Sequence, residues 1–156
     1  MSRIAALDVG DAFVGIAASD ELCTIATPVR TIRRTRSVRA DVNAIESVIR
    51  EIGASKVVVG LPLDAEGEEG IQAAKVKDFA NRLAARLSVP VEFWDERFST
   101  ADAEMRLLES DTSRAKLRQR IHAAAAAVVL ESYLSEVEAK PEKRRQCPTD
   151  ETSEGA

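Results

Sequence analysis

Short, nearly unbroken apolar runs alternate along this chain with longer segments whose apolar residues recur every three or four positions. Ile4 to Val9 is the first such run and predicts a buried strand. A turn over Gly10 to Gly15, with extended structure resuming in Val14 to Ala18, predicts a hairpin. A third strand is expected around Thr24 to Ile32, and Pro28 favours an edge position for it. Val42, Ile45, Val48, Ile49 and Ile52 keep helical spacing, so a helix over 38–52 is expected, capped by Ser37 and ended by Gly53. The β-branched run Val57-Val58-Val59 before Gly60 predicts a central parallel strand. A loop over 61–70 then leads into a helix over 71–87, with Val76, Phe79, Ala80, Leu83 and Leu87 as its buried stripe. Pro90 precedes a last strand, Val91 to Trp94. Ser99 and Asp102 resemble a capping box opening a helix through Leu108, and a final helix is expected over 117–137. Three strands in a meander, followed by helices alternating with two more, describe an α/β domain with a mixed sheet.

Composition narrows this to one globular domain over 1–137. The chain has 156 residues, 45% of them hydrophobic, which suffices for a substantial core. From Glu138 onward the residues are charged or small, so 138–156 is expected to be a disordered charged tail. The opening apolar run is too short for a signal peptide, and no apolar stretch approaches the roughly 20 residues of a spanning helix. Cys23 and Cys147 form no CxxC pair and no disulfide framework, which fits a cytoplasmic protein without a membrane partner.

The net charge of −4 runs against a nucleic-acid partner, but the distribution of charge runs for one. No acid lies between Glu21 and Asp41, whereas Arg30, Arg33, Arg34, Arg36 and Arg39 do. A second acid-free run carries Arg114, Lys116, Arg118 and Arg120. Either run alone is explained equally well as a solvated face. Together they outline a phosphate-tracking surface, with Arg33, Arg34 and Arg118 as candidate substrate contacts.

Two acidic positions sit where predicted strands end. Asp8 closes the first strand, and Asp95-Glu96-Arg97 follows the last one. Carboxylates at the ends of buried strands carry a desolvation cost that a metal or a proton offsets. Ligands of open α/β sheets gather beyond the carboxyl ends of the strands, so Asp8 and Glu96 are expected to converge there. Two carboxylates with a divalent cation between them are suited to phosphodiester hydrolysis. The plainer explanations are a turn role for Asp8 and an internal ion pair or helix-end charge within Asp95-Glu96-Arg97. Arg97 is suited equally to orienting a carboxylate and to meeting a phosphate.

The ordered set Leu7-Asp8-Val9-Gly10, Val14-Gly15-Ile16-Ala17, Val58-Val59-Gly60-Leu61-Pro62-Leu63, Asp95-Glu96-Arg97-Phe98-Ser99-Thr100 and Ala127-Val128-Val129-Leu130 resembles the YqgF family. These are RNase H-like proteins described as pre-16S ribosomal RNA nucleases or Holliday-junction resolvase-like proteins. The resemblance spans about residues 3 to 137. It implies an RNase H-like fold, with a five-stranded mixed sheet flanked by helices. It also implies a metal-dependent endonuclease, acting in 5′-end processing of pre-16S rRNA or on branched DNA. Partners would be precursor rRNA or branched DNA, and pre-ribosomal particles, with monomer and homodimer both open.

The family's first acid falls on Asp8 and its second on Glu96. Its third, early in the last helix, falls on His122, the only histidine in the chain. On local pattern alone, a helical histidine beside alanines is a packed or surface residue. At the third-acid position it becomes a candidate ligand or general base. The implied cofactor is a divalent metal, Mg²⁺ or Mn²⁺, with Mn²⁺ favoured if the imidazole ligates. The first turn departs too: Asp11 and Phe13 stand where the family has hydroxyl and basic residues, and Asp11 is either a turn former or a replacement carboxylate. The acidic, glycine-containing loop over 64–70 is expected to be mobile and to face substrate. The competing readings are a catalytically impaired nucleic-acid or ribosome-associated binding module, and a kinase-like ATP site, which would need a second domain.

Overall fold

A computed structural model of the chain describes the backbone of residues 3–64, 66–95 and 114–139, and the side chains of these except at 114–120 and 137–139. The elements are β1 (Arg3–Val9), β2 (Phe13–Ser19), β3 (Ala26–Arg33), α1 (Val38–Ile52), β4 (Ala54–Leu61), α2 (Ile71–Arg86), β5 (Val91–Asp95) and α3 (Arg114–Ala139). The sheet order is β3-β2-β1-β4-β5. β1 runs antiparallel to β2 and β2 to β3, while β4 lies parallel to both β1 and β5. This is the mixed five-stranded sheet expected. The helix anticipated over 99–108 lies outside the described residues. So does the tail from residue 140 on, and α3 continues to Ala139.

Local chemistry explains most boundaries. Ser37 caps α1 by accepting from the Ala40 amide, and Gly53 ends it at φ 74°, donating to the Ile49 and Arg50 carbonyls. Pro28 lies on the edge strand next to a register shift between Ile16 and Ala17, where its missing N–H is tolerated.

The sheet is covered on both faces, so its central strands read as continuous apolar runs and not as alternating ones. One face, with Leu7, Ile16, Val57 and Val59, packs on Val42, Ile45 and Ile49 of α1 and Val76, Phe79 and Leu83 of α2. The other face, with Ile4, Ala6, Ala17 and Val58, packs on Ala126, Val129, Leu130 and Tyr133 of α3. Ala126 and Ala127 are small enough for α3 to lie close to the strands.

A polar lock fastens the far end of α3. The Lys56 ammonium reaches the Tyr133 hydroxyl at 2.5 Å and Glu92 Oε2 at 2.6 Å, and Trp94 Nε1 donates to Ser132 Oγ at 3.0 Å. Burial alone would lower the Lys56 pKa, but its bonds to Glu92 and Tyr133 outweigh burial and raise it. Burial raises the Tyr133 phenol.

One expectation is corrected. Cys23 is buried and disulfide-bonded, so the cysteines lend no support to a reducing compartment. No described helix is long and apolar enough to cross a membrane.

Candidate active site

Side chains alternate along a strand, and that alternation decides which residues meet α3. Ile4 and Ala6 face α3, and so does Asp8 two positions on. Ala17 faces α3 on β2, as do Gly15 and Phe13. Asp8 is thus carried to the carboxyl end of β1, level with the turn to β2 and beneath the helix.

His122 meets it there. Its Nδ1 lies 3.5 Å from Asp8 Oδ2. The Asp8 side chain is only 13% exposed and the imidazole 28%, so the pair is largely shielded from water. Nδ1 is buried and has no hydrogen-bond partner among the described residues, the geometry to Asp8 falling short of a hydrogen bond. The Phe13 ring lies against the imidazole, centroids 5.2 Å apart and planes tilted by 31°.

Glycine makes this approach possible. A β-carbon on Gly15 would stand 1.9 Å from the His122 carbonyl oxygen and 2.6 Å from the Ala123 nitrogen. The main chain of α3 at His122 therefore rests directly on β2. Gly10 closes another side, since a β-carbon there would lie 3.4 Å from His122 Cε1. Neither contact is readable from sequence, where both glycines signal only a turn.

The other expected site residues divide. Glu96 and Arg97 lie outside the described residues, as does the side chain of Arg118; Asp95 closes β5 at the same edge of the sheet as Asp8. Arg33 ends β3 with an exposed side chain. Arg34 turns inward. Its Nη1 donates to the Gly10 carbonyl at 3.0 Å, its Nε lies 3.5 Å from Asp41 Oδ2, and its guanidinium covers the Phe79 ring at 4.5 Å. Asp11 points away from Asp8, toward Lys75 at 3.8 Å, with its side chain 70% exposed, which fits the turn role and not a replacement carboxylate.

The 64–70 loop, expected to be mobile, is hydrogen-bonded within itself where described. Asp64 Oδ1 accepts from the Glu66 and Glu68 amides, and Leu63 bridges Glu69. An Asx-type turn supplies that order.

The described residues bring together one carboxylate and one imidazole, and no group of three metal-ligating side chains is found among them. Two ligands at right angles on an octahedral ion at about 2.1 Å lie roughly 3 Å apart, close to the spacing of Asp8 and His122. The orphaned Nδ1 facing a carboxylate oxygen fits a divalent metal with mixed nitrogen and oxygen donors.

A mixed five-stranded sheet in the order β3-β2-β1-β4-β5, with helices on both faces, has the RNase H-like fold. Residues 2–136 match the family model described as RuvX, Holliday junction resolvase, and the chain belongs to that family. It is 46% identical over 133 residues to "Putative pre-16S rRNA nuclease" of Caldanaerobacter subterraneus subsp. tengcongensis, covering 85% of this chain and 95% of that protein. It is 44% identical over 132 residues to the protein of the same name from Myxococcus xanthus, covering 85% and 87%. The fold is similar to RuvC of T. thermophilus in complex with a Holliday junction substrate, with a TM-score of 0.53, 15% identity and coverage of 88% and 96%. It is also similar to the Fowlpox virus resolvase in complex with Holliday junction DNA, with a TM-score of 0.53, 12% identity and coverage of 86% and 98%.

Proposed function

We propose that this chain is a metal-dependent endonuclease that hydrolyses phosphodiester bonds in precursor 16S rRNA, at the 5′ end, during ribosome assembly in the cytoplasm. The observation that carries the reading is the shielded Asp8–His122 pair, 3.5 Å apart at the carboxyl edge of the sheet. Glu96, directly after β5, is the third proposed member. The catalytic domain is taken as 1–137, with 138–156 as a tail.

Asp8, Glu96 and His122 would hold the metal. When bound, that metal would lower the pKa of a water and offset charge on the scissile phosphate. Asp8 sets a carboxylate at the carboxyl edge of the sheet, where a bound metal would meet the phosphate. Phe13 lies beside the imidazole and Gly10 against its Cε1 edge, so two sides of the ring are packed next to Asp8. Exposed Arg33, with Arg97 and Arg118, is assigned to the phosphates on either side of the cut, where each contact strengthens binding and raises its salt dependence.

Cleavage of branched DNA is the second reading, supported by the Holliday junction resolvase description of the family model. The assay therefore offers both substrates, precursor rRNA and a four-way DNA junction, to the wild type and to Asp8→Asn. Metal-dependent cleavage lost in Asp8→Asn supports the nuclease, and the substrate cleaved chooses between the readings. Tight binding with no cleavage in Mg²⁺ or Mn²⁺ would show a binding module instead.

A further inference from the structure

We propose that Arg34 is a positioning residue for the Asp8–His122 pair, working through the turn that joins β1 to β2 and held in place by buried Asp41. The inference rests on the proposed nuclease reading for its kinetic half only.

The turn after Asp8 forms one wall of the imidazole site. Its own closure is modest: the Gly10 amide donates to the Phe13 carbonyl at 2.8 Å. Two further bonds come from one residue 24 positions away. The Arg34 amide donates to the Ala12 carbonyl at 2.8 Å, and Arg34 Nη1 donates to the Gly10 carbonyl at 3.0 Å. Arg34 thereby fixes both ends of the segment that places Gly10 and Phe13 against His122.

Asp41 explains why Arg34 stays there. Its carboxylate is 1% exposed, and a charge so buried is stable only when paired and hydrogen-bonded. Oδ1 accepts from the Thr35 amide and hydroxyl, both at 2.9 Å. Among the described residues Oδ2 has no hydrogen bond, and the Arg34 guanidinium lies beside it at 3.5 Å. Phe79 of α2 supplies the face on which that guanidinium lies. The Arg34 side chain is 20% exposed, with its plane, one edge and its Nε side all engaged. These contacts hold the guanidinium inward, against the turn and α2.

A lysine at 34 keeps the charge but has three donors at one point and no plane, so it does not reach Gly10, Asp41 and Phe79 together. Arg34→Lys therefore separates positioning from charge. Asp41→Asn separates them further, because a buried acid makes no contact with phosphate.

The test uses the single histidine. Its imidazole Cε1–H gives one carbon–proton NMR resonance, readable without any activity. Arg34→Lys and Asp41→Asn should each move that resonance, while Arg30→Lys, on the exposed edge strand, leaves it in place. In cleavage assays Arg34→Lys should lower kcat about 10- to 100-fold with KM changed less than about twofold. An unmoved resonance in Arg34→Lys overturns the proposal, as does a raised KM at unchanged kcat, which would mark a phosphate contact. Thermal melting identifies an unfolded Asp41→Asn, in which case Arg34→Lys carries the test alone. If the wild type cleaves neither substrate, the nuclease reading fails while the resonance still decides the positioning role.

Discussion

Asp8 and Gly15 are partners across the β1–β2 ladder, and the missing side chain of Gly15 is where the main chain of α3 comes to rest. Strand register and helix docking are therefore fixed at one point. The register places Asp8 opposite Gly15, and the contact over Gly15 places His122 above Asp8.

Gly15→Ala puts a methyl group inside the van der Waals radius of the His122 carbonyl, and backbone cannot swing away as a side chain can. The substitution should destabilise the fold by about 2–3 kcal/mol, as overpacking of a tight core does. It should also push His122 away from Asp8. Urea unfolding measures the first effect and the imidazole resonance the second. A variant as stable as wild type, with an unmoved resonance, would show that the close contact is absent in solution.

Acid should weaken the β2–β3 connection. Asp20 accepts from the Thr24 and Ile25 amides and from the Thr24 hydroxyl, and its pKa falls from 3.8 to about 2, with the Ile25 amide as the largest cause. The folded value is below the unfolded one, so the stabilisation is fully present above pH 3.8 and lost as pH falls through about 2. Asp20→Ala should melt below wild type at neutral pH, and the gap should close as pH drops across that window. A gap independent of pH would contradict this.

Alkali should act on the other end of α3. The pKa values of Lys56 and Tyr133 are both raised above their ordinary 10.5 and 10.0. Each group then binds its proton more tightly folded than unfolded, so their stabilisation is present at neutral pH and lost as pH climbs past those values. Tyr133→Phe should cost about 1 kcal/mol at pH 7, the worth of a hydrogen bond. Its stability should fall less steeply than the wild type's in the alkaline range. Parallel pH profiles for the two proteins would rule out the network as the cause.

What the sequence made legible was local or periodic. Ser37 and Gly53 announced both ends of α1, the valine run at 57–59 announced a strand buried on two faces, and Pro28 announced an edge. Boundaries slipped by one to three residues, as for α3, which begins at Arg114 and not at 117. The roles of Gly15, Arg34 and Asp41 were hidden because each depends on residues brought together from distant elements. Arg34 looked like one of five similar arginines. Only the fold shows that it faces inward, between Gly10, Asp41 and Phe79. His122 was found through family resemblance, since nothing in a run of alanines marks one histidine as a partner of an acid 114 positions earlier.

The central claim is that Asp8 and His122 form one metal-dependent catalytic site. The direct measurement is cleavage of precursor rRNA and four-way DNA across Mn²⁺ and Mg²⁺ titrations, comparing wild type with Asp8→Asn, His122→Ala and His122→Asp. Imidazole nitrogen binds Mn²⁺ in preference to Mg²⁺, whereas a carboxylate accepts either. The predicted result is cleavage by wild type that favours Mn²⁺, its loss in Asp8→Asn and His122→Ala, and a gain of Mg²⁺-dependent cleavage in His122→Asp. Cleavage that survives unchanged in Asp8→Asn, or a metal preference indifferent to the residue at 122, would contradict it.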